Sequence, residues 1–257
     1  MRDFTLRAYR EYLGSLKKAY PLFLSFYEYF SLKLKPDRFC IIRHDVDRMP
    51  RRAMRMAELE NRLGVHATYF FRIKRNTFRP DIIRSISELG HEIGYHYESL
   101  SDAKGNFDLA LADFAQNLEK IRRIAPVQTV VMHGRPLSKY DNLDLWRMPD
   151  ARSRRKDSFG LLGEVYLDID YSDIAYITDT GRNWLSNQSN RRDTVRSEIK
   201  LDFKSGNLLR QYFDNNPHPK LIFTVHPERW TNAQIAYCVR FLFDACVNIA
   251  KSLNKRR

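Results

Sequence analysis

Two aspartates, Asp45 and Asp47, lie two residues apart in His44-Asp-Val-Asp47, directly after the apolar run Phe39-Cys-Ile-Ile-Arg43. In extended backbone the side chains at i and i+2 point the same way, so both carboxylates are expected on one face. Adjacent carboxylates repel, and a cation beside them relieves that repulsion. They can also divide the work, one holding a metal and the other taking a proton. The plainer reading is a DxD turn capping the next helix. Histidines recur at comparable places. His96 ends Gly90-His-Glu-Ile-Gly-Tyr-His96, His133 follows Val127–Met132, and His226 follows Leu221-Ile-Phe-Thr-Val225 and precedes Pro227. A neutral imidazole there can ligate a metal. One held before a rigid proline suits a general acid, although a loop histidine without a role has the same signature.

Other groups are open to two readings. Asp179 is a turn residue before Gly181 or a partner that orients a catalytic group, and Arg135 orients a carboxylate or is solvated. Glu98 supports a ligand or is simply exposed. His91 reads as a core histidine bonded to backbone. Trp184 and Trp230 read as core or as platforms for sugar rings.

The elements that must position these residues alternate. Ala53, Met56, Leu59 and Leu63 recur at helical spacing before Gly64, as do Ile82, Ile83, Ile86 and Leu89 before Gly90. Phe107, Leu111, Phe114, Leu118 and Ile121 mark a third helix, and Ile235, Val239, Leu242, Cys246 and Ile249 a last one. Between them lie strand candidates at 39–43, 65–72, 91–96, 127–132, 161–167, 176–179 and 221–225. Alternating strands and helices predict an α/β protein with a mainly parallel sheet. Asp45, Asp47, His96, His133, Asp179 and His226 then fall at strand C-terminal ends, which form one chemical face in parallel α/β barrels. No linker or repeat divides the chain, so residues 1–257 are expected as one domain. Residues 1–38 form a helical extension packed on it, and 147–160 a surface loop.

The 257 residues carry 44 Lys and Arg against 31 Asp and Glu, a net charge of +13. At 43% hydrophobic and 13% aromatic, the chain can bury a full core. No apolar run reaches the ~18–20 residues that span a bilayer. The first residues lack the order of a signal peptide, which predicts a cytoplasmic protein. Cationic residues are scattered in short clusters such as Arg154-Arg155-Lys156, with no nucleic-acid signature, so a solvated surface is expected. The three cysteines have no CxxC spacing and read as small buried hydrophobes.

Taken together, Ile42-Arg-His-Asp-Val-Asp47, Gly64-Val-His-Ala-Thr-Tyr-Phe-Phe71, Gly90–Glu98, His133-Gly-Arg-Pro-Leu-Ser138 with Asp141-Asn142, and Thr224–Trp230 resemble the polysaccharide deacetylases, the NodB-homology carbohydrate esterases. More specifically, they resemble a divergent branch found in bacterial surface-polysaccharide loci. The resemblance implies a distorted (β/α) barrel that hydrolyses the acyl group, commonly acetyl, from an amide-linked sugar with one divalent metal ion, usually Zn2+. It carries the base to Asp45, metal ligation to Asp47 and His96, and the general acid to His226. Asp179 and Arg135 match the groups that orient them. The family's second metal histidine falls at Leu100, which cannot bind metal. His133 is expected to replace it, with His44 and Glu98 as fallbacks.

The expected partner is an acylated amino sugar, free or carrier-linked, in surface-polysaccharide (lipopolysaccharide) biosynthesis. No nucleic acid is expected, and peripheral association with an anionic membrane face suits the charge. Three alternatives stand beside this reading. They are a glycan-binding relative without turnover, a nucleic-acid-binding basic protein, and another metal-dependent hydrolase on the same barrel.

Overall fold

An eight-residue strand buried along its whole length, β2 (Phe39–Val46), organises the fold. In the computed structural model, residues 2–147, 157–185, 192 and 194–255 are described. Strand β10 (Lys220–Val225) pairs with one edge of β2 in parallel, from Phe39 opposite Lys220 to His44 opposite Val225. The other edge is shared. β1 (Phe23–Leu24) pairs with Cys40 and Ile41, and β3 (Thr68–Phe71) takes over from Arg43 to Val46.

Beyond β3 come β4 (Glu92–Tyr97), β5 (Thr129–Met132) and β6 (Gly163–Glu164), and beyond β10 comes β7 (Ala175–Thr178). Every pairing in this sheet is parallel. It curls into a partial (β/α) barrel of the kind expected, left open between β6 and β7. Parallel neighbours need crossovers, and α3 (Pro50–Arg62), α4 (Pro80–Glu88) and α6 (Phe107–Arg122) supply them. Helix α3 starts on Pro50 and is followed by Gly64 at φ +64°, a left-handed conformation that costs glycine little.

Alternation along β2 sorts its side chains. Cys40, Ile42 and Val46 pack into the core beneath the helices. Phe39 and Ile41 turn inward to a second core with Phe26, Phe70, Tyr176 and Ile222. That inner core is filled from the N-terminal segment. Helix α2 (Phe26–Ser31) begins with a Ser25–Glu28 capping box, and the Phe26 N–H donates to Thr68 Oγ1 at 3.0 Å. On β4, Gly94 lies opposite Phe70, and a Cβ there would stand 2.2 Å from the Phe70 ring. Helix α1 (Leu6–Ala19) packs on α3 and on α7 (Gly206–Asp214), burying Tyr9, Tyr12, Leu13 and Leu16.

The strand expected over 161–167 shortens to β6. The buried Glu164 carboxylate accepts the N–H groups of Tyr166 and Leu167 at 2.7 and 3.0 Å, which turns the chain. Residues 148–156 of the expected loop, with their basic cluster, lie outside the described residues. Cys40 is buried, but Cys238 and Cys246 are exposed on α8 (Gln234–Lys255), contrary to the expectation of buried thiols. Their helical periodicity marks one face correctly, but that face points to solvent. Among the described residues, no helix is long and apolar enough to cross a membrane.

Candidate metal centre

The same alternation puts Arg43, Asp45 and Asp47 on one side of β2, and at its C-terminal end Asp45 and Asp47 line a cleft of about 700 Å³, with Arg43 buried behind them. β4 brings His96 to that cleft, the residue after β5 is His133, and the residue after β10 is His226. Asp179, the residue after β7, lies directly behind His226.

Asp47, His96 and His133 offer ligand atoms that all lie within 4.8 Å of one another. His96 Nε2 is 3.4 Å from Asp47 Oδ1, and His133 Nε2 is 3.6 Å from Oδ2. Both rings are fixed from behind. His96 Nδ1–H donates to the Val131 carbonyl at 3.0 Å, and His133 Nδ1–H donates to Glu98 Oε2 at 3.0 Å. Such support sets the tautomer and leaves each Nε2 lone pair facing the centre. Glu98 is held in turn by Arg72, whose Nη2 donates at 2.6 Å.

A divalent cation fits these residues. Asp47 Oδ1 is buried without a hydrogen-bond partner, and two imidazoles plus one carboxylate are a usual zinc donor set. Burial works against the Asp47 charge, but His133 and His96 outweigh it and hold the carboxyl well below its usual range. Burial likewise opposes protonation of His133, yet Asp47 and Glu98 raise its pKa to about 9, so a cation binding here would displace a proton from Nε2 to free the lone pair.

Asp45 has a different environment. Arg43 is fully buried and donates from Nε and Nη2 to the two Asp45 oxygens at 2.8 and 2.7 Å. It also donates to the Tyr166 hydroxyl at 3.0 Å. Asp45 Oδ2 is 3.7 Å from His96 Nε2 and 4.0 Å from His226 Nε2, so the carboxylate faces both.

His226 Nδ1–H donates to Asp179 Oδ1 at 2.6 Å. Asp179 is fully buried and also accepts from Arg229 at 2.7 Å and from the Trp230 indole at 2.8 Å. Burial opposes its charge, but Arg229 and His226 keep its pKa low. Burial and Arg229 lower the pKa of His226, whereas Asp179 and Asp45 raise it, and the net shift is upward.

The cleft therefore gathers Asp45, Asp47, His96, His133 and His226, with Asp179 behind. Arg135 requires a correction. Its guanidinium pairs with Asp102 at 2.6 Å and lies 3.8 Å from Glu98, so it orients neither Asp45 nor His226. Those tasks fall to Arg43 and Asp179. His44 turns to the opposite face of β2, where it sits 2.6 Å from Glu60 and stacks on Tyr69. Glu98 backs His133. Leu100 is 2% exposed and packs into the core.

His91 accepts from the Ala67 N–H through Nδ1 and donates from Nε2 to the Ala57 carbonyl. Trp184 and Trp230 are buried. Sequence reasoning missed Arg43, although the i, i+2 rule that paired the aspartates includes it. It also missed Glu228, a buried cleft carboxyl pushed up by burial and by the charge of Asp47, for which no local signal exists.

The sequence matches no protein-family profile and no curated protein. Among solved structures, it is similar to a CE4 family pseudoenzyme from Bacillus anthracis at 16% identity and TM-score 0.42, covering 80% of this chain and 59% of that one. A family 4 carbohydrate esterase from Bacillus anthracis is similar at 13% identity and TM-score 0.40, covering 95% and 86%. A peptidoglycan deacetylase mutant from Bacillus subtilis is similar at 13% identity and TM-score 0.40, covering 85% and 96%. The chain spans less than two thirds of the length of the pseudoenzyme. Likenesses this distant assign no activity.

Proposed function

We propose that this protein is a metal-dependent hydrolase of the polysaccharide deacetylase kind. In this reading it removes an acyl group, commonly acetyl, from an amide-linked amino sugar of a surface-polysaccharide precursor. One observation carries the reading. A three-ligand cluster, Asp47, His96 and His133, stands between a carboxylate fixed by Arg43 and an imidazole fixed by Asp179.

The chemistry a divalent ion supplies at such a cluster is Lewis acidity, which brings the pKa of a bound water toward neutrality and polarises a carbonyl. Asp45 is placed to take the proton as the water oxygen attacks the acyl carbon, because Arg43 leaves its carboxylate a single orientation. His226 presents Nε2 to the same cleft while Asp179 occupies Nδ1. When the C–N bond breaks, His226 gives its proton to the departing sugar nitrogen. Arg229 and Trp230 hold Asp179 and thereby the ring.

The test pairs metal content with acetate release from N-acetylated amino sugars and their oligomers. About one zinc or similar ion per chain is expected. Asp45→Asn should lower acetate release by about a hundredfold or more and keep the ion. Wild-type protein that takes up no metal after reconstitution would overturn the reading. Leu100 favours a second reading, a glycan-binding relative without turnover. Metal-free protein that still binds sugar would establish it.

A further inference from the structure

Helix α8 is built the wrong way round for a helix on a globular surface. Its charged residues Arg240 and Asp244 are buried against the body, where Arg240 pairs with Glu228 and Asp244. Its apolar residues point outward, with Ile235 81%, Val239 63%, Leu242 64% and Ile249 61% exposed. Cys238, Phe241 and Cys246 are exposed beside them. Among the described side chains of α8, no exposed one is charged, and Asp244 is the helix's only acid. A contiguous apolar face of this kind marks a contact surface.

The charges along its borders say what it contacts. The Arg2 guanidinium lies over the Tyr237 ring at 3.7 Å, and Arg48 lies over the Phe243 ring at 4.7 Å. Both arginines are exposed, and Arg2 also donates from Nη1 to Gln234 Oε1 at 2.5 Å, at the start of the helix. Cations thus border the apolar face, on a chain of net charge +13. A second copy of this chain would bring a like-charged border against them. Among the described side chains, the face also has no flanking acid to set register against a basic partner helix.

We propose that α8 lies on an anionic phospholipid surface, its apolar face at the acyl boundary and its bordering arginines on the headgroups. The inner side of the same helix, through Phe243 and Val247, lines the cleft. Docking therefore sets the cleft beside the bilayer. This inference stands independently of the hydrolase reading.

The test is sedimentation of the full chain with vesicles of phosphatidylcholine alone and of phosphatidylcholine mixed with phosphatidylglycerol. Binding is expected only to the anionic vesicles and should weaken with salt. Leu242→Asp should weaken it by roughly tenfold or more. Arg2→Glu with Arg48→Glu should also weaken it. Leu242 is exposed, so an unchanged circular-dichroism melt shows that its variant still folds. Failure to sediment with anionic vesicles at low salt, or binding indifferent to Leu242→Asp, would overturn the proposal. So would a dimer seen by light scattering that Leu242→Asp dissociates while vesicles are ignored, since a second copy would then own the face.

Discussion

Asp45 and Asp47 share a face of β2 but not an environment. Arg43 occupies both Asp45 oxygens at 2.7 and 2.8 Å, whereas Asp47 keeps a buried oxygen that no donor reaches. Identical side chains two residues apart are thus separated into an oriented carboxylate and an open ligand.

That separation predicts opposite mutant behaviour. Asp47→Ala should lose bound metal and activity together. Asp45→Asn should keep the metal and lower turnover by about a hundredfold or more, the usual worth of a general base. Elemental analysis and acetate release on the same preparations separate the two, and wild-type turnover in Asp45→Asn would remove the base assignment.

The two sides of His133 can be probed apart. His133→Ala deletes a ligand and should abolish stoichiometric zinc. Glu98→Gln leaves the ligand but weakens its support, and should lower zinc affinity by about 10–100-fold. Competition against a chromophoric chelator reads both, and an unchanged affinity in Glu98→Gln would deny Glu98 that role.

The pH dependence follows from Asp179. Burial and Arg229 depress protonation of His226, and Asp179 with Asp45 more than offsets them, so the folded protein holds this proton above the ordinary imidazole pKa of about 6.5. Activity that needs protonated His226 should persist past that pH and fall as pH rises through the raised pKa. Asp179→Asn should move this alkaline limb to lower pH. A limb that stays in place in the pH–rate profile would show that another group is the acid.

Gly94→Ala tests the inner core. Its Cβ would stand 2.2 Å from the ring of fully buried Phe70, and Phe26, packed on that ring, limits its retreat. Overpacking of this kind costs about 1–3 kcal/mol. The denaturation midpoint should drop accordingly, and Phe70→Leu in the same chain should recover part of the loss.

Much of the frame was legible in the residue order. Period-two alternation in Phe39–Val46, helical spacing closed by Gly64 and Gly90, and polar groups after apolar runs all reflect local backbone geometry, which a sequence displays directly. Those rules put Asp45, Asp47, His96, His133 and His226 at strand ends, and the parallel sheet gathers strand ends into one cleft.

What local geometry cannot supply is the identity of the neighbour across a gap. His44 lies between two cleft-side residues on β2 yet pairs with Glu60 on α3, because alternation sends it to the other face. Arg135 follows His133 by two residues but finds Asp102 on α5 (Ser99–Asp102), while Arg43 takes Asp45. The stripe from Ile235 to Ile249 reads as any core-facing helix would, and only packing turned it outward. The sequence alone determined which residues share a face. The tertiary structure decided what each face meets, because burial and pairing depend on contacts between segments far apart in the chain.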